Sequence, residues 1–169
     1  LLDGVQANNI TSMMGIINGT TNYILTKMTN GGASYSDALK EAQRLGYAEA
    51  DPTADVEGFD AAYKLSILSS LAFHTKVPLG KVFREGISGV SQEDIQDGKR
   101  LGYVLKLLAV GKQSENGIEV RVNPTFIRKE HPLASVNDSF NAVYITGDAV
   151  GDVMLYGRGA GDLPTGSAI

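Results

Sequence analysis

The feature that most restricts what this 169-residue chain can form is a change of hydrophobic period at Gly102. Beyond it, residues 104–112, 118–123, 141–147 and 152–156 read as strands. Ile118, Val120 and Val122 alternate with polar neighbours, as do Val143 and Ile145, while Glu115-Asn116-Gly117 and Gly147-Asp148 supply turns. Before Gly102 the spacing is mainly helical. Helices followed by strands that short turns join to their neighbours predict an α+β fold, with helices packed on one side of a largely antiparallel sheet. Such a sheet offers an open face or edge to a partner subunit, so a homodimer is expected.

The helical half has well-marked ends. Residues 10–17 are apolar and largely β-branched and predict one early strand, after which Asn18-Gly19 turns the chain into TTNYILTKMTN, a short helix stopped by Gly31-Gly32. A second helix is expected over residues 35–45. Ser34 and Asp37 have capping-box spacing, Leu39, Ala42 and Leu45 share a face, and Gly46 suits the position after the last turn. From Phe59 the run FDAAYKLSILSSLAF is apolar around most of its circumference beyond Lys64, which predicts a buried helix. Ser91-Gln92-Glu93-Asp94 opens a further helix to about Leu101, with Gly102 as its stop.

Composition narrows the function. With 43% apolar residues, one domain spanning 1–169 can bury a substantial core. A net charge of −4 argues against a nucleic-acid partner. There is no cysteine, so disulfides, zinc-thiolate sites and thiol nucleophiles are excluded. No apolar run reaches the roughly 20 residues of a membrane span and no signal peptide is evident, so the expectation is a cytoplasmic protein without a membrane partner. The start at Leu1-Leu2-Asp3 and the end after a Gly/Pro-rich stretch read as the edges of an excised piece.

The segment YAEADPTADVEG, residues 47–58, concentrates acid: Glu49, Asp51, Asp55 and Glu57 fall within nine residues, and Pro52 forbids a regular helix through it. It reads either as a solvated acidic turn or, with Glu49, Asp55 and Asp60 acting jointly, as a holder of a cation, whether a metal or a substrate ammonium. Asp51-x-Thr53-x-Asp55 imitates the opening of a calcium loop, but the required Gly and Glu are replaced by Val56 and Ala62, and no metal site is expected. Asp60 and Lys64 lie one helical turn apart on one face. That is either a surface ion pair worth about 0.2–0.5 kcal/mol or the floor of a cleft. Thr20 opens a helix whose N–H groups can receive a carboxylate, or it serves only in a cap. The glycine-rich GRGAG, residues 157–161, lacks the dinucleotide fingerprint's third glycine and reads as a turn that lets something approach closely. His74 and His131 read as structural.

Four stretches, GIINGTTNYILTKM (residues 15–28), LGYAEADPTADVEGFDAAYKL (45–65), HPLASVNDSFNAV (131–143) and YGRGAG (156–161), resemble homoserine dehydrogenase. The resemblance implies the catalytic, substrate-binding and dimerisation domain of that enzyme, with a fold like the C-terminal domain of glyceraldehyde-3-phosphate dehydrogenase-like oxidoreductases. It implies interconversion of L-homoserine and L-aspartate 4-semialdehyde with NAD or NADP, in threonine, methionine and isoleucine biosynthesis. By the same resemblance Lys64 is the catalytic lysine, Glu49 and Asp60 are homoserine ligands, Asp55 is an acid of the same pocket, Thr20 lies at the substrate pocket and Gly161 touches the nicotinamide. The main nucleotide-binding domain and a monovalent-cation site are implied upstream of Leu1, which leaves this chain inactive alone. Related dehydrogenases that form thioesters need a cysteine; here a direct hydride transfer remains. The contrasting expectation is a noncatalytic amino-acid-binding or dimerisation module with the same fold.

Overall fold

The computed structural model describes residues 4–169, so the cut edge read at Leu1-Leu2-Asp3 lies outside the described residues. Strand β1 (Ile10–Ile16) leads through Asn18 into helix α1 (Gly19–Gly31), and α2 (Tyr35–Arg44) follows with Ser34 as its cap. A single helical turn, α3 (Thr53–Val56), precedes α4 (Phe59–Ala72). After β2 (Phe83–Arg84) and α5 (Gln92–Arg100) come the strands β3 (Tyr103–Ser114), β4 (Gly117–Arg128), β5 (Phe140–Gly147) and β6 (Gly151–Arg158), then α6 (Asp162–Ala168).

The strands form one sheet in the order β2-β4-β3-β1-β5-β6. Every pairing is antiparallel except the two-residue pairing of β2 with β4, which makes the expected α+β architecture with a largely antiparallel sheet. Because β1 pairs with both β3 and β5, the first strand of the chain joins the two C-terminal hairpins. That places the end of β1, and hence the start of α1, in the middle of the molecule.

The main core lies between the sheet and helices α1, α4 and α5, around Met13, Ile24, Leu25, Met28, Leu65, Leu107 and Val122. Strand β3 is buried on both faces. Leu105, Leu107 and Ala109 face the helices, while Leu108 and Val110 join Ile16, Ile127, Leu133, Val136 and Ala142 on the other side. There the short 3-10 turn Pro132–Ser135 roofs a second, smaller cluster.

Three expectations are revised. Helix α4 is not buried all round: Ala61, Ala62, Leu65 and Ser69 face inward, but Phe59, Tyr63, Ile67 and Leu71 form an exposed stripe at four-residue spacing, with Ile67 62% exposed. Its apolar circumference exceeds what this chain packs against. Leu45 ends up as the exposed residue closing α2, whose inward face is Ala38 and Ala42. As expected, no helix runs through Pro52: it stands just before the single turn of α3, where a missing N–H costs nothing. Finally, β4 continues past Asn123 through Pro124 to Arg128. This works because β2 covers only Arg121 and Val122, so the rest of β4 is an edge, where proline is tolerated. Among the described residues no helix is long and apolar enough to cross a membrane.

Candidate active site

The site begins with Asn18. Its extended backbone (φ −130°, ψ 112°) makes it the cap of α1, and its Oδ1 accepts from the backbone N–H and the hydroxyl of Thr21, both at 2.9 Å. A cap of this kind is worth about 1 kcal/mol to the helix. With its oxygen so occupied, the amide nitrogen faces the other way. Nδ2 donates to Asp55 Oδ1 at 2.7 Å and to Asp60 Oδ2 at 2.9 Å.

Those carboxylates come from α3 and from the first turn of α4. Between the two helices stands Gly58 with φ +76°, a left-handed conformation that glycine adopts without strain and that turns the chain so that both acids meet Asn18. One turn further along α4, Lys64 Nζ donates to Asp60 Oδ2 at 2.7 Å and to the carbonyl of Ile17, the residue after β1, at 3.2 Å. The lysine side chain is 47% exposed and opens on a cleft of about 420 Å³.

Thr20 donates its hydroxyl to the Tyr47 carbonyl at 2.5 Å and so ties the start of α1 to the loop after α2. Gly19 and Thr20 both line the cleft, and as first-turn residues their N–H groups have no acceptor within the helix. The cleft is also lined by Ser139 just before β5, by Asn141 within it, by Arg158 at the end of β6 and by Gly159 through Gly161 after it. Gly161 has φ +119°, a conformation suited to glycine. The close approach expected in this glycine-rich turn is that of Asn141: a β-carbon on Gly159 would overlap its side-chain amide.

Of the residues singled out in the sequence, Thr20, Asp55, Asp60, Lys64 and Gly161 converge on one cleft. Glu49 does not. Its side chain is exposed and outside the cleft lining, and its carbonyl accepts from Gln43 Nε2 at 3.0 Å. Nor do the other acids of the loop reach the site. Asp51 accepts from Thr53, which holds its carboxyl below the usual range, and Glu57 accepts from Ser88 at 2.6 Å. Among the described residues no group of three His, Asp or Glu side chains is placed to hold a metal. Asn18, Tyr47, Ser139 and Asn141 also line the cleft, and the sequence does not single them out; only Asn18 carries a signal, its place in the turn just before Thr20.

Beneath the site lies another group that the sequence did not announce. Lys106 of β3 is fully buried and donates to Asn22 Oδ1 at 3.1 Å, to the Val136 carbonyl at 2.5 Å and to Asn137 Oδ1 at 3.3 Å. Burial lowers its pKa to about 8, against a smaller opposing attraction from Asp138. It holds the segment leading to Ser139 against α1.

The homoserine dehydrogenase family model matches residues 1–169. The chain belongs to the homoserine dehydrogenase family. It is 52% identical over its whole length to homoserine dehydrogenase of Bacillus subtilis, of which it covers 39%. The crystal structure of a homoserine dehydrogenase from Thiobacillus denitrificans superposes with a TM-score of 0.96 at 52% identity, over 98% of this chain and 38% of that one. A hyperthermophilic archaeal homoserine dehydrogenase in complex with NADPH superposes with a TM-score of 0.74 at 30% identity, over 92% of this chain and 44% of that one. The chain thus spans about two fifths of these relatives. Within the homoserine dehydrogenase family, its cleft joins a half-exposed ammonium, two carboxylates and the start of a helix.

Proposed function

We propose that this chain is the substrate-binding portion of an enzyme that interconverts L-homoserine and L-aspartate 4-semialdehyde with NAD or NADP. One observation carries the reading: Lys64 Nζ sits 2.7 Å from Asp60 in a cleft that Asp55 shares. When the semialdehyde is reduced, negative charge builds on its aldehyde oxygen. The Lys64 ammonium stabilises that charge and donates the proton, with Asp60 and the Ile17 carbonyl fixing where it points. Asp55 and Asp60 receive the substrate's amino group; the family resemblance gives Glu49 the same role, although its side chain lies outside the cleft lining. Thr20 and the first turn of α1 face the carboxylate.

The Gly159–Ala160–Gly161 wall bears little side chain, so it fits the edge of a flat nicotinamide ring held mainly by a domain outside this chain. That group, when bound, supplies or accepts the hydride. The NADPH complex of the archaeal relative supports NADP as one of the cofactors. The same reading makes the protein a cytoplasmic homodimer serving threonine, methionine and isoleucine synthesis, with a monovalent cation bound outside this chain and no nucleic-acid or membrane partner.

The test is NAD(P)-linked oxidation of L-homoserine by the full-length protein. Turnover that disappears in Lys64→Ala with the fold retained is the expected result. Homoserine binding without turnover in the full-length protein would instead identify a noncatalytic amino-acid-binding module.

A further inference from the structure

We propose that Asn18 is a positioning residue that sets the site's preference for a substrate bearing an α-amino group. The inference rests on reading the cleft as the homoserine site. Asn18 is buried, and both ends of its amide are committed. Oδ1 receives two donors from Thr21, so the amide cannot flip without setting its NH2 against the Thr21 N–H and losing the cap of α1. The two N–H bonds of Nδ2 are thereby directed to Asp55 and Asp60, one to each.

This geometry solves an electrostatic problem. Two carboxylates carried on separate helices repel when brought to one site. A neutral amide donating to both offsets that repulsion without using up their charge, and it sets their spacing from a rigid point, the start of α1. Each acid spends one oxygen on the amide, Asp55 its Oδ1 and Asp60 its Oδ2, the latter also taking Lys64. Among the described residues the remaining oxygens, Asp55 Oδ2 and Asp60 Oδ1, accept no hydrogen bond from the chain. An ammonium, with three donors and no acceptor, matches such a pair of vacant carboxylate oxygens. Had a lysine or arginine taken the place of Asn18, it would have neutralised the acids and competed with the substrate.

The test uses the full-length protein with Asn18→Ser and Asn18→Thr. Both retain a side-chain oxygen able to cap α1, so they separate the cap from the amide's hold on the acids. The KM for L-homoserine is measured beside the inhibition constant for 4-hydroxybutanoate, which has the same carboxylate and alcohol but no amino group. The expected result is a rise in KM of tenfold or more in both variants, with less than a twofold change in the inhibition constant. If the two constants move by the same factor, or neither moves, Asn18 does not set amino-group preference. Collapse of the fold in both variants, which keep the cap, would make the amide a requirement of the fold rather than of amino-group preference and overturn the proposal as well. An unaltered protein that does not oxidise homoserine would overturn the reading of the cleft itself, a result distinct from parallel shifts in an active enzyme.

Discussion

Lys64 and Asp60 are joined by a 2.7 Å hydrogen bond across one turn of α4, at a point where the lysine also reaches the carbonyl that ends the β1 approach. The pair is partly exposed, so its contribution to stability is small, about 0.2–0.5 kcal/mol. Its value is positional. Lys64→Ala is therefore predicted to lower homoserine turnover by about 10²–10⁴-fold, the usual yield of a positioned acid or base, while leaving the denaturation midpoint nearly unchanged. Asp60→Asn keeps the shape but removes a charge, and should raise KM for homoserine as well as lower kcat. Steady-state kinetics with a parallel thermal melt decide both, and full activity in Lys64→Ala would refute the assignment.

Lys106 leads to a prediction about pH. Its pKa is about 8 in the fold against 10.5 for the ordinary side chain. Below pH 8 both folded and unfolded states carry the proton, and the fold bears the whole cost of a buried charge. Between about 8 and 10.5 the unfolded chain holds the proton and the folded one has released it, so stability rises with pH through this window. Set against Lys106→Met, which removes the titration, the wild type should gain on the order of 2 kcal/mol between pH 7 and pH 9.5. Urea unfolding of both proteins at the two pH values gives the difference directly. A gap that does not change with pH, or changes in the opposite sense, would contradict it.

What could be read from the sequence follows from how local each signal is. The four long strands are legible because alternation and turn residues are written within a few positions, and the pairing of Asp60 with Lys64 because a four-residue step on a helix puts two side chains on one face, though not whether that face is a surface or a cleft. Strand β2 is not legible, since two residues have no period. The acidic segment showed its charge but not its directions: Asp55 enters the cleft, whereas Glu49, Asp51 and Glu57 turn to other partners or to solvent. Asn18 joins α1 to acids 37 and 42 positions later, and that becomes visible only once α3 and α4 have folded against it. Lys106 was hidden in an apolar strand, where its ammonium needs three oxygens from distant segments.

The start of α1 is also fixed from the far side. A β-carbon at Gly19 would stand 2.8 Å from the Ser139 carbonyl oxygen, and that oxygen belongs to backbone that Lys106 and Asn22 already hold in place. Gly19→Ala is predicted to destabilise the protein by about 1–3 kcal/mol, the usual range for overpacking. Because the displaced atoms line the cleft, KM for homoserine should rise with it. Chemical denaturation and kinetics on the same variant test the pair of effects. A variant as stable and as active as the wild type would show that the segment around Ser139 yields freely.

The exposed stripe on α4 separates what this chain needs for its own fold from what its sequence suggests. Ala61, Ala62, Leu65 and Ser69 meet the core, and Phe59, Tyr63, Ile67 and Leu71 do not. Leu65→Ala should therefore cost this chain about 2–5 kcal/mol, as truncation of a buried leucine does. Ile67→Lys should change its stability by no more than about 0.5 kcal/mol, as expected of an exposed position away from caps and ion pairs. The two substitutions lie two residues apart on one helix and differ in the side they occupy, so helix propensity cannot account for the contrast. Equal losses in denaturant unfolding of the chain would mean that α4 is buried on both sides, as its composition alone suggested.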